Sequence, residues 1–203
     1  VTDISVNNAY NVFYTYDKND NITNVCVSDN NKKNVKLTSA YSYNNANMLT
    51  SLVNKNGSGT TLSSYSYSYN LDGNINKKTE TGKTTTYTYD GLNRLTGENI
   101  TQSGKSTNMA YTYDSVGNRL SLTVSGTENY VTTYNYDANN RLIKSSKKNS
   151  GASYSDVMYY SYDNNGNQTR IDKAREENAG KMKLGIYSAN ENSGYGYEFF
   201  TYD

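Results

Sequence analysis

Pairs of tyrosines separated by a single polar residue recur along this chain of 203 residues. The pairs are Tyr14/Tyr16, Tyr41/Tyr43, Tyr67/Tyr69, Tyr87/Tyr89, Tyr111/Tyr113, Tyr134/Tyr136 and Tyr160/Tyr162, and Phe200/Tyr202 begins an eighth copy. Up to the seventh copy, successive pairs lie 20 to 27 residues apart. Repetition at such a period is typical of an array in which each unit buries its surface against its neighbours. The sequence therefore predicts an array of like units, which we expect to form one domain.

Tyrosine supplies most of the surface that this polar chain can bury. Only 34% of the residues are apolar, and the mean hydropathy is -0.90, a value that usually favours disorder because burial cannot offset chain entropy. The chain has 23 tyrosines, 3 phenylalanines and no tryptophan. Each tyrosine ring can bury roughly 150 Å² while its hydroxyl stays in water. We therefore expect an amphipathic core with solvated hydroxyls.

The charge balance argues against partners that are bound through charge. With 20 basic and 19 acidic residues the net charge is +1, so no strong field attracts nucleic acid or an anionic membrane. No run of 18 apolar residues predicts a membrane span, and the single cysteine, Cys26, excludes an internal disulfide. Because the pattern continues to both ends, we expect the chain to be a piece of a longer protein.

The fourth copy, from Tyr87 to Leu95, illustrates what each unit is expected to form. Side chains two residues apart on a strand share a face, so both tyrosines of a pair project together and the residue between them projects oppositely. These middle residues are polar throughout: Thr15, Ser42, Ser68, Thr88, Thr112, Asn135 and Ser161. The pattern predicts a strand with one aromatic face and one polar face.

A turn is predicted directly after each tyrosine pair. The next residue is always Asp or Asn: Asp17, Asn44, Asn70, Asp90, Asp114, Asp137 and Asp163. Such a side chain can accept hydrogen bonds from backbone N–H groups two or three residues on, which favours a type I turn. Three residues later stands a type that tolerates positive φ: Asp20, Asn47, Gly73, Asn93, Gly117, Asn140 and Gly166. This combination is typical of a β-hairpin whose type I turn closes with a left-handed residue.

A returning strand is expected after each turn. These strands carry apolar anchors: Ile22, Leu49, Ile75, Leu95, Leu120 and Leu142. Further turns are predicted between hairpins, for example at Ser103-Gly104-Lys105 and Ser125-Gly126-Thr127. The sheet should therefore continue as a meander.

The residue after the left-handed position alternates in kind along the array. It is asparagine in the odd copies (Asn21, Asn74, Asn118, Asn167) and Met48, Arg94 or Arg141 in the even copies. One extra residue in every other turn would change the local twist. The hypothesis is that two turn geometries alternate and that the structural period is two copies.

The interval after the seventh copy is longer and different in composition. Residues 172–183 are rich in helix formers and predict about two helical turns. We therefore divide the chain into a repeat array at 1–170, an irregular or partly helical insertion at 171–199, and the start of a further repeat at 200–203.

The phrase Tyr-x-Tyr-Asp-x-x-Gly/Asn-Arg-Leu resembles the YD repeat of the RHS (rearrangement hotspot) and teneurin families, which are related to Tc-toxin shell repeats. The best matches run from Tyr87 to Leu95 and from Tyr134 to Leu142, followed by Tyr111 to Leu120. The resemblance extends over about residues 14–170, although copies one, two, three and seven lack the Arg-Leu pair. It implies an all-β fold in which tandem β-hairpin repeats form a continuous curled antiparallel sheet, an open fragment of an RHS-type shell.

The same resemblance implies a structural, non-enzymatic role. In bacteria such shells usually surround a toxic C-terminal segment, and in animals they form part of cell-surface adhesion proteins. The implied partners are flanking repeats and a C-terminal cargo polypeptide of the same full-length protein, without nucleic acid and without a membrane span. The implied location is secreted or cell-surface, wall-associated, in bacteria. Self-cleavage, which needs a proline-containing motif in bacterial members, is not transferred because this chain has no proline.

The residue types offer little for catalysis or for holding a metal. Without histidine, the usual catalytic triads and most zinc sites are excluded. We therefore assign no catalytic residue, no cofactor and no metal site. Two segments copy the first ligand positions of an EF-hand loop, Asp17-x-Asn19-x-Asn21 and Asp163-x-Asn165-x-Asn167. Both lack the later glycine and glutamate of such a loop, so a turn is the favoured interpretation.

Carbohydrate binding is the alternative function. Exposed tyrosine rings can stack on sugar faces, and short Tyr- and Gly-containing repeats occur in bacterial wall-binding modules. Those modules usually carry tryptophan, which this chain lacks. Cross-strand tyrosine ladders need no ligand, and the alternative of an extracellular adhesion or cell-wall glycan-binding module is kept open for testing.

Overall fold

The computed structural model describes residues 2–6, 10–29, 33–177, 182–185 and 199–200, and every regular element in them is a β-strand. In chain order the strands are β1 (Thr2–Val6), β2 (Tyr10–Tyr16), β3 (Ile22–Asp29), β4 (Val35–Tyr43), β5 (Leu49–Asn56), β6 (Thr61–Tyr69), β7 (Ile75–Glu80), β8 (Lys83–Tyr89), β9 (Leu95–Gln102), β10 (Lys105–Tyr113), β11 (Arg119–Gly126), β12 (Tyr130–Tyr136), β13 (Leu142–Asn149), β14 (Tyr154–Tyr162), β15 (Gln168–Glu177), β16 (Met182–Gly185) and β17 (Phe199–Phe200). The all-β prediction is confirmed. Within this described part, no helix has the length and apolar character needed to cross a membrane.

The chain forms two compact units, each an antiparallel meander. The first comprises Val1–Asn93 with Ile100–Gly104, and the second comprises Arg94–Asn99 with Lys105–Asp203. In the first unit β1 to β8 pair in chain order, and in the second β10 to β17 do the same. Strand β9 contributes residues to both units. The predicted tandem hairpins are confirmed, whereas the curl of the sheet stays a prediction.

Within the residues that the structure describes, neither unit has a large apolar core. Among the residues described, the buried apolar side chains are Val124, Val157 and Ala174, and the buried polar side chains are Asn11, Ser28 and Thr85. The seven middle residues of the tyrosine pairs are all exposed, whereas the paired tyrosines are half-buried except for Tyr16, which is 42% exposed. The two predicted faces are therefore present. Because so little is fully buried, strand pairing and contacts between neighbouring hairpins must supply the stability.

Strand β15 corrects the prediction for the end of the array. Residues 171–177, expected to be irregular or helical, continue the strand and pair with β14 from Tyr162↔Gln168 to Tyr154↔Glu177. Helix propensity differs by only a few tenths of a kcal/mol per residue among such side chains, and pairing along all of β14 outweighs it. Residues 178–181 and 186–198 of the predicted insertion lie outside the described residues, as do 201–203 of the eighth copy.

Glycine at position 57 permits a close approach between backbones at the turn that follows β5. A Cβ placed on Gly57 would lie 1.9 Å from the carbonyl oxygen of Val35 at the start of β4. Such a distance requires the backbone itself to move. Gly91, in the fourth tyrosine-linked turn of the same unit, has no atom within 4 Å of its Cβ position.

We predict that Gly57→Ala lowers the free energy of unfolding by about 2 kcal/mol, as overpacking against backbone typically does. Gly91→Ala, the matched control, should change it by no more than about 0.5 kcal/mol. Urea denaturation of the two variants measures both values. Equal losses would contradict the close-approach argument.

Candidate functional site: the turns and the tyrosine pairs

The turns that follow the tyrosine pairs share one hydrogen-bonding pattern. In the first, Oδ1 of Asp17 accepts the backbone N–H groups of Asn19 at 2.8 Å and Asn21 at 2.9 Å. In every later copy the Asp or Asn at this place accepts the N–H two residues on at 2.9–3.1 Å. In the first, second, third, fifth, sixth and seventh copies, the N–H four residues on also donates, at 2.8–3.0 Å. The donor two residues on is the predicted one, and the donor four residues on was not predicted from the sequence.

The left-handed residue of each turn is where the sequence predicts it. The φ angles are 63° at Asp20, 59° at Asn47, 60° at Asn93, 60° at Asn140, 84° at Gly73, 97° at Gly117 and 84° at Gly166. A register shift between the middle residue and the second tyrosine accompanies the turn in the first, second, third, fifth, sixth and seventh hairpins. Odd and even copies agree in both features. The hypothesis of two alternating turn geometries is therefore wrong.

The alternation in sequence instead arises from contacts between neighbouring turns. We call the residue after the left-handed position the linker residue; its members are Asn21, Met48, Asn74, Arg94, Asn118, Arg141 and Asn167. The linker Asn21 donates from Nδ2 to Oδ1 of the left-handed Asn47 in the next turn, at 2.9 Å. The pairs Asn74–Asn93 at 2.7 Å and Asn118–Asn140 at 2.9 Å repeat this contact. The turn of an odd copy is thus joined to the turn of the next even copy by a hydrogen bond between two asparagine side chains.

The even copies reach the next odd copy differently, because the left-handed residue there is glycine. Arg94 donates from a terminal guanidinium nitrogen to the carbonyl of Asp114 at 2.9 Å, and Arg141 does so to the carbonyl of Asp163 at 3.4 Å. Met48 lies with its sulfur 3.8 Å from the Cβ position of Gly73. Asparagine linkers therefore face left-handed asparagines, and long linkers cover left-handed glycines.

The hydroxyl of the second tyrosine connects each hairpin to the one before it. Tyr43 donates to the carbonyl of Ile22, five residues after the turn-forming Asp17 of the preceding copy, at 2.9 Å. The same bond recurs at 2.5–3.0 Å in the pairs Tyr69–Leu49, Tyr89–Ile75, Tyr113–Leu95, Tyr136–Arg119 and Tyr162–Leu142. These hydroxyls are not left in water, as the sequence analysis expected. We call this set of bonds the hydroxyl–carbonyl series.

The carbonyl is available because the ladder between hairpins ends early. Strands β3 and β4 pair from Asn24↔Ala40 outward, so Ile22 lies beyond the last paired residue. The same holds for Leu49 beside β6 and Leu142 beside β14, where pairing begins at Ser51 and Lys144. A backbone carbonyl without a partner costs free energy when it is removed from water. The tyrosine hydroxyl satisfies it across this gap.

Arg119 takes the place of an aliphatic anchor in the fifth copy. It stands five residues after Asp114, where copies one to four and six have Ile or Leu, and its guanidinium lies 4.5 Å from the ring centroid of Tyr134 and 5.8 Å from that of Tyr111. It also donates to the Tyr134 hydroxyl at 3.1 Å. Leu120, predicted as the anchor, is 41% exposed instead. One additional residue before the Arg-Leu pair shifts that pair by one position and exchanges the faces.

Cations cover several other tyrosine rings in the second unit. Arg94 lies 4.9 Å from the ring centroid of Tyr113, and Arg141 lies 5.0 Å from that of Tyr162. Each such contact contributes about 0.5–1 kcal/mol at exposed sites. The linker arginines thus hold both the backbone and the second tyrosine of the next copy.

Two tyrosines of the second unit have pKa values well above the usual one. Burial, helped by a hydrogen bond to Glu98, raises the pKa of Tyr111 to about 12. Burial and a hydrogen bond to Glu176 likewise raise the pKa of Tyr159 to about 12. Lys144 donates to the same Glu176 oxygen at 2.7 Å, so one carboxylate joins β13, β14 and β15. These tyrosines therefore remain donors at neutral pH.

The aspartates of the turns are engaged by the turns themselves. In the seventh copy, Oδ1 of Asp163 accepts two backbone N–H groups and Oδ2 accepts Nδ2 of Asn167 at 2.9 Å. Asp17 and Asn21 repeat the arrangement at the first EF-hand-like segment. In the part of the chain that the structure describes, no three acidic or cysteine side chains are grouped as a metal would require. The turn interpretation accounts for both segments.

Comparison with known proteins finds a family match for one segment of the chain. Residues 69–102 match the family model described as RHS Repeat, in agreement with the resemblance of the sequence to YD repeats. This segment begins at Tyr69 and includes the whole fourth copy. No curated protein matches the chain significantly.

The solved structures that are similar to the chain include the following two. One is TcdB2-TccC3 without its hypervariable C-terminal region, at 15% identity and a TM-score of 0.40; the match covers 88% of this chain and 13% of that one. The other is a porin-like protein from Bacteroides uniformis ATCC 8492, at 14% identity and a TM-score of 0.41. That match covers 98% of this chain and 90% of the porin-like protein. The chain thus spans about an eighth of the TcdB2-TccC3 polypeptide.

We predict that Tyr43→Phe lowers the free energy of unfolding of the first unit by about 1–2 kcal/mol, because it removes a hydrogen bond and leaves the Ile22 carbonyl unpaired. Tyr16→Phe is the matched control. Tyr16 occupies the same motif position and has no hydrogen-bond partner for its hydroxyl among the described residues, so the change should be within about 0.5 kcal/mol. Chemical denaturation followed by circular dichroism distinguishes the two. Similar effects at both positions would contradict the claim that the hydroxyl–carbonyl series stabilises the fold.

The turn aspartates predict an acid limb in the stability profile. The Asn167 amide lowers the pKa of Asp163 below its usual 3.8, and the backbone N–H of Arg141 lowers the pKa of Asp137. A carboxyl whose pKa is lower in the folded state than in the unfolded state stabilises the fold at pH values above its unfolded-state pKa. This stabilisation is lost as the pH falls through its folded-state pKa. Stability of the second unit should therefore begin to fall below about pH 4.

The variant Asp137→Asn/Asp163→Asn should flatten this acid limb, since Asn44 and Asn70 make the same turn bonds without titrating. The test is the free energy of unfolding measured from neutral to acidic pH. Two results would contradict the claim that Asp137 and Asp163 cause the acid limb. One is a wild-type stability that does not change through the acidic range, and the other is a variant profile as steep as that of the wild type.

Proposed function

We propose that this chain is a non-enzymatic structural scaffold, a stretch of the wall of a YD/RHS-type β-shell. The observation that carries the proposal is the hydroxyl–carbonyl series. Each repeat donates to the one before it and offers a carbonyl to the one after it, as at Tyr43–Ile22 and Tyr69–Leu49. A unit with a donor on one side and an acceptor on the other extends without a set limit. Such an element suits a continuous wall.

In this proposal the wall encloses a C-terminal cargo polypeptide of the same full-length protein and separates it from solvent and proteases until delivery. The near-neutral charge supports a barrier that does not bind its contents strongly through electrostatics. The flanking repeats are the other partners. The full-length protein would be secreted or attached to the bacterial surface, in keeping with the polar composition and the single cysteine.

Several features support a role without catalysis. The two strongly perturbed tyrosines, Tyr111 and Tyr159, have raised pKa values, which makes them poorer bases or nucleophiles at neutral pH. The carboxylates beside them are hydrogen-bonded acceptors within the sheet. Each perturbed group is thus explained by its contacts with neighbouring strands.

Glycan binding is the alternative function, and the experiments must distinguish it from the structural scaffold. A sugar ring would need an open aromatic face, but in the second unit cations of the chain itself lie over Tyr113, Tyr134 and Tyr162. Occupied ring faces favour the scaffold. A wall or adhesion module would instead bind glycans through exposed tyrosines.

Limited proteolysis of the full-length protein tests enclosure. The segment C-terminal to the repeats should resist protease in the wild type and become sensitive in Tyr113→Phe/Tyr136→Phe, which removes two bonds of the series. Tyr16→Phe, the matched control, should leave the protection unchanged. Equal cleavage of that segment in the wild type and the double variant would refute enclosure.

Binding to a glycan array and to purified cell walls forms the second arm. The scaffold predicts no binding by the chain. Binding that is lost when exposed Tyr10 is changed to alanine would support the adhesion module instead.

A further inference from the structure

Two Asn-Gly pairs occur in turns of the described chain, at Asn56-Gly57 and Asn165-Gly166. In such a pair the backbone nitrogen of the glycine can attack the side-chain carbonyl carbon of the asparagine, because glycine carries no Cβ to hinder the approach. The sequence alone makes the two pairs equivalent. Their hydrogen bonds are not equivalent.

The Asn56 carboxamide is polarised by three donors. Its Oδ1 accepts the backbone N–H of Ser58 at 3.2 Å, the hydroxyl of Ser58 at 2.7 Å and the backbone N–H of Thr60 at 2.9 Å. Donors aimed at a carbonyl oxygen stabilise the negative charge that develops there during nucleophilic attack. The turn therefore places an oxyanion-stabilising arrangement around Asn56 Oδ1.

The nucleophile beside it is not engaged. The Gly57 nitrogen has no hydrogen-bond acceptor among the described residues, and Gly57 is exposed. The Asn56 Nδ2, which would leave, likewise has no partner within the described ranges. Both the attacking and the departing nitrogen are therefore accessible to water and buffer.

The second pair has the opposite arrangement. The Gly166 nitrogen donates to the carbonyl of Asp163 at 3.1 Å as part of the seventh turn. The side-chain oxygen of Asn165 accepts no hydrogen bond from the residues that the structure describes. Its nucleophile is held and its carbonyl is not polarised.

We propose that Asn56 is a site of spontaneous covalent modification and that Asn165 is protected. The Gly57 nitrogen loses its proton and bonds to Cγ of Asn56, the Cγ–Nδ2 bond breaks, and Nδ2 leaves as ammonia with that proton. Water then opens the resulting succinimide at either carbonyl and yields aspartate or isoaspartate. No oxidant or other co-reactant is needed.

The two products differ in their effect on the hairpin. Aspartate at position 56 keeps the turn, since Asp17 and Asp163 use the same acceptor geometry elsewhere. Isoaspartate adds a backbone methylene between β5 and β6, where Gly57 already lies against the Val35 carbonyl. The isoaspartate form should therefore loosen the β5–β6 end of the first unit and add one negative charge.

Incubation of the native protein in mildly alkaline buffer, followed by peptide mapping with mass spectrometry, tests the proposal. Asn56 should convert about tenfold or more faster than Asn165, which corresponds to a barrier difference of about 1.4 kcal/mol. In denaturant the two rates should converge. Equal rates in the native protein, or a native rate at Asn56 below its denatured rate, would overturn the proposal.

Ser58→Ala provides the matched variant. It removes one donor to Asn56 Oδ1 and keeps the two backbone donors, so conversion at Asn56 should slow by about fivefold while Asn165 is unaffected. Circular dichroism checks that the variant is folded. An unchanged or faster rate at Asn56 in the folded variant would show that the Ser58 hydroxyl does not activate the site.

Discussion

The hydrogen bond from the second tyrosine of one repeat to a backbone carbonyl of the preceding repeat is the contact on which this structure depends. Few side chains in the described units are fully buried, so the apolar core that normally holds hairpins together is nearly missing. The inter-hairpin ladder also stops short of the turns, as at Ile22 and Leu49. A phenol fits this gap because its ring covers the sheet while its hydroxyl reaches the unpaired carbonyl. Phenylalanine could do only the first of these, which accounts for tyrosine at the second position of the pairs that form the series.

The turns supply a second connection along the same edge of each unit. Asparagine linkers bond to left-handed asparagines, and arginine or methionine linkers lie over left-handed glycines, so neighbouring turns are complementary in pairs. One backbone geometry thus supports two alternating sets of side chains. Because every contact of this kind joins only adjacent copies, stability accumulates from neighbour to neighbour, as in other repeat proteins. An array of this kind can be extended by adding copies.

Features that depend on local chemistry can be predicted from the sequence. Asp or Asn after the tyrosine pair, followed by Asp, Asn or Gly three residues on, sufficed to locate each turn and its left-handed residue.

Features that depend on backbone groups or on strand register could not be predicted from the sequence. The acceptors of the tyrosine hydroxyls are main-chain carbonyls, which leave no residue signature, and Leu120 gave way to Arg119 because one additional residue shifts the faces. Residues 171–177 have helical propensity, but pairing with β14 decides their conformation. The alternation of linker residues was visible in the sequence, yet its cause required the neighbouring turn.

The most direct test of this account is to observe the tyrosine hydroxyl protons by NMR. A hydroxyl held by a backbone carbonyl exchanges slowly with water, whereas a solvated one exchanges too fast to be detected. The account predicts protected hydroxyl resonances for Tyr43, Tyr69, Tyr89, Tyr113, Tyr136 and Tyr162, and none for Tyr16. Fast exchange at all seven would contradict the claim that these phenols join one hairpin to the next.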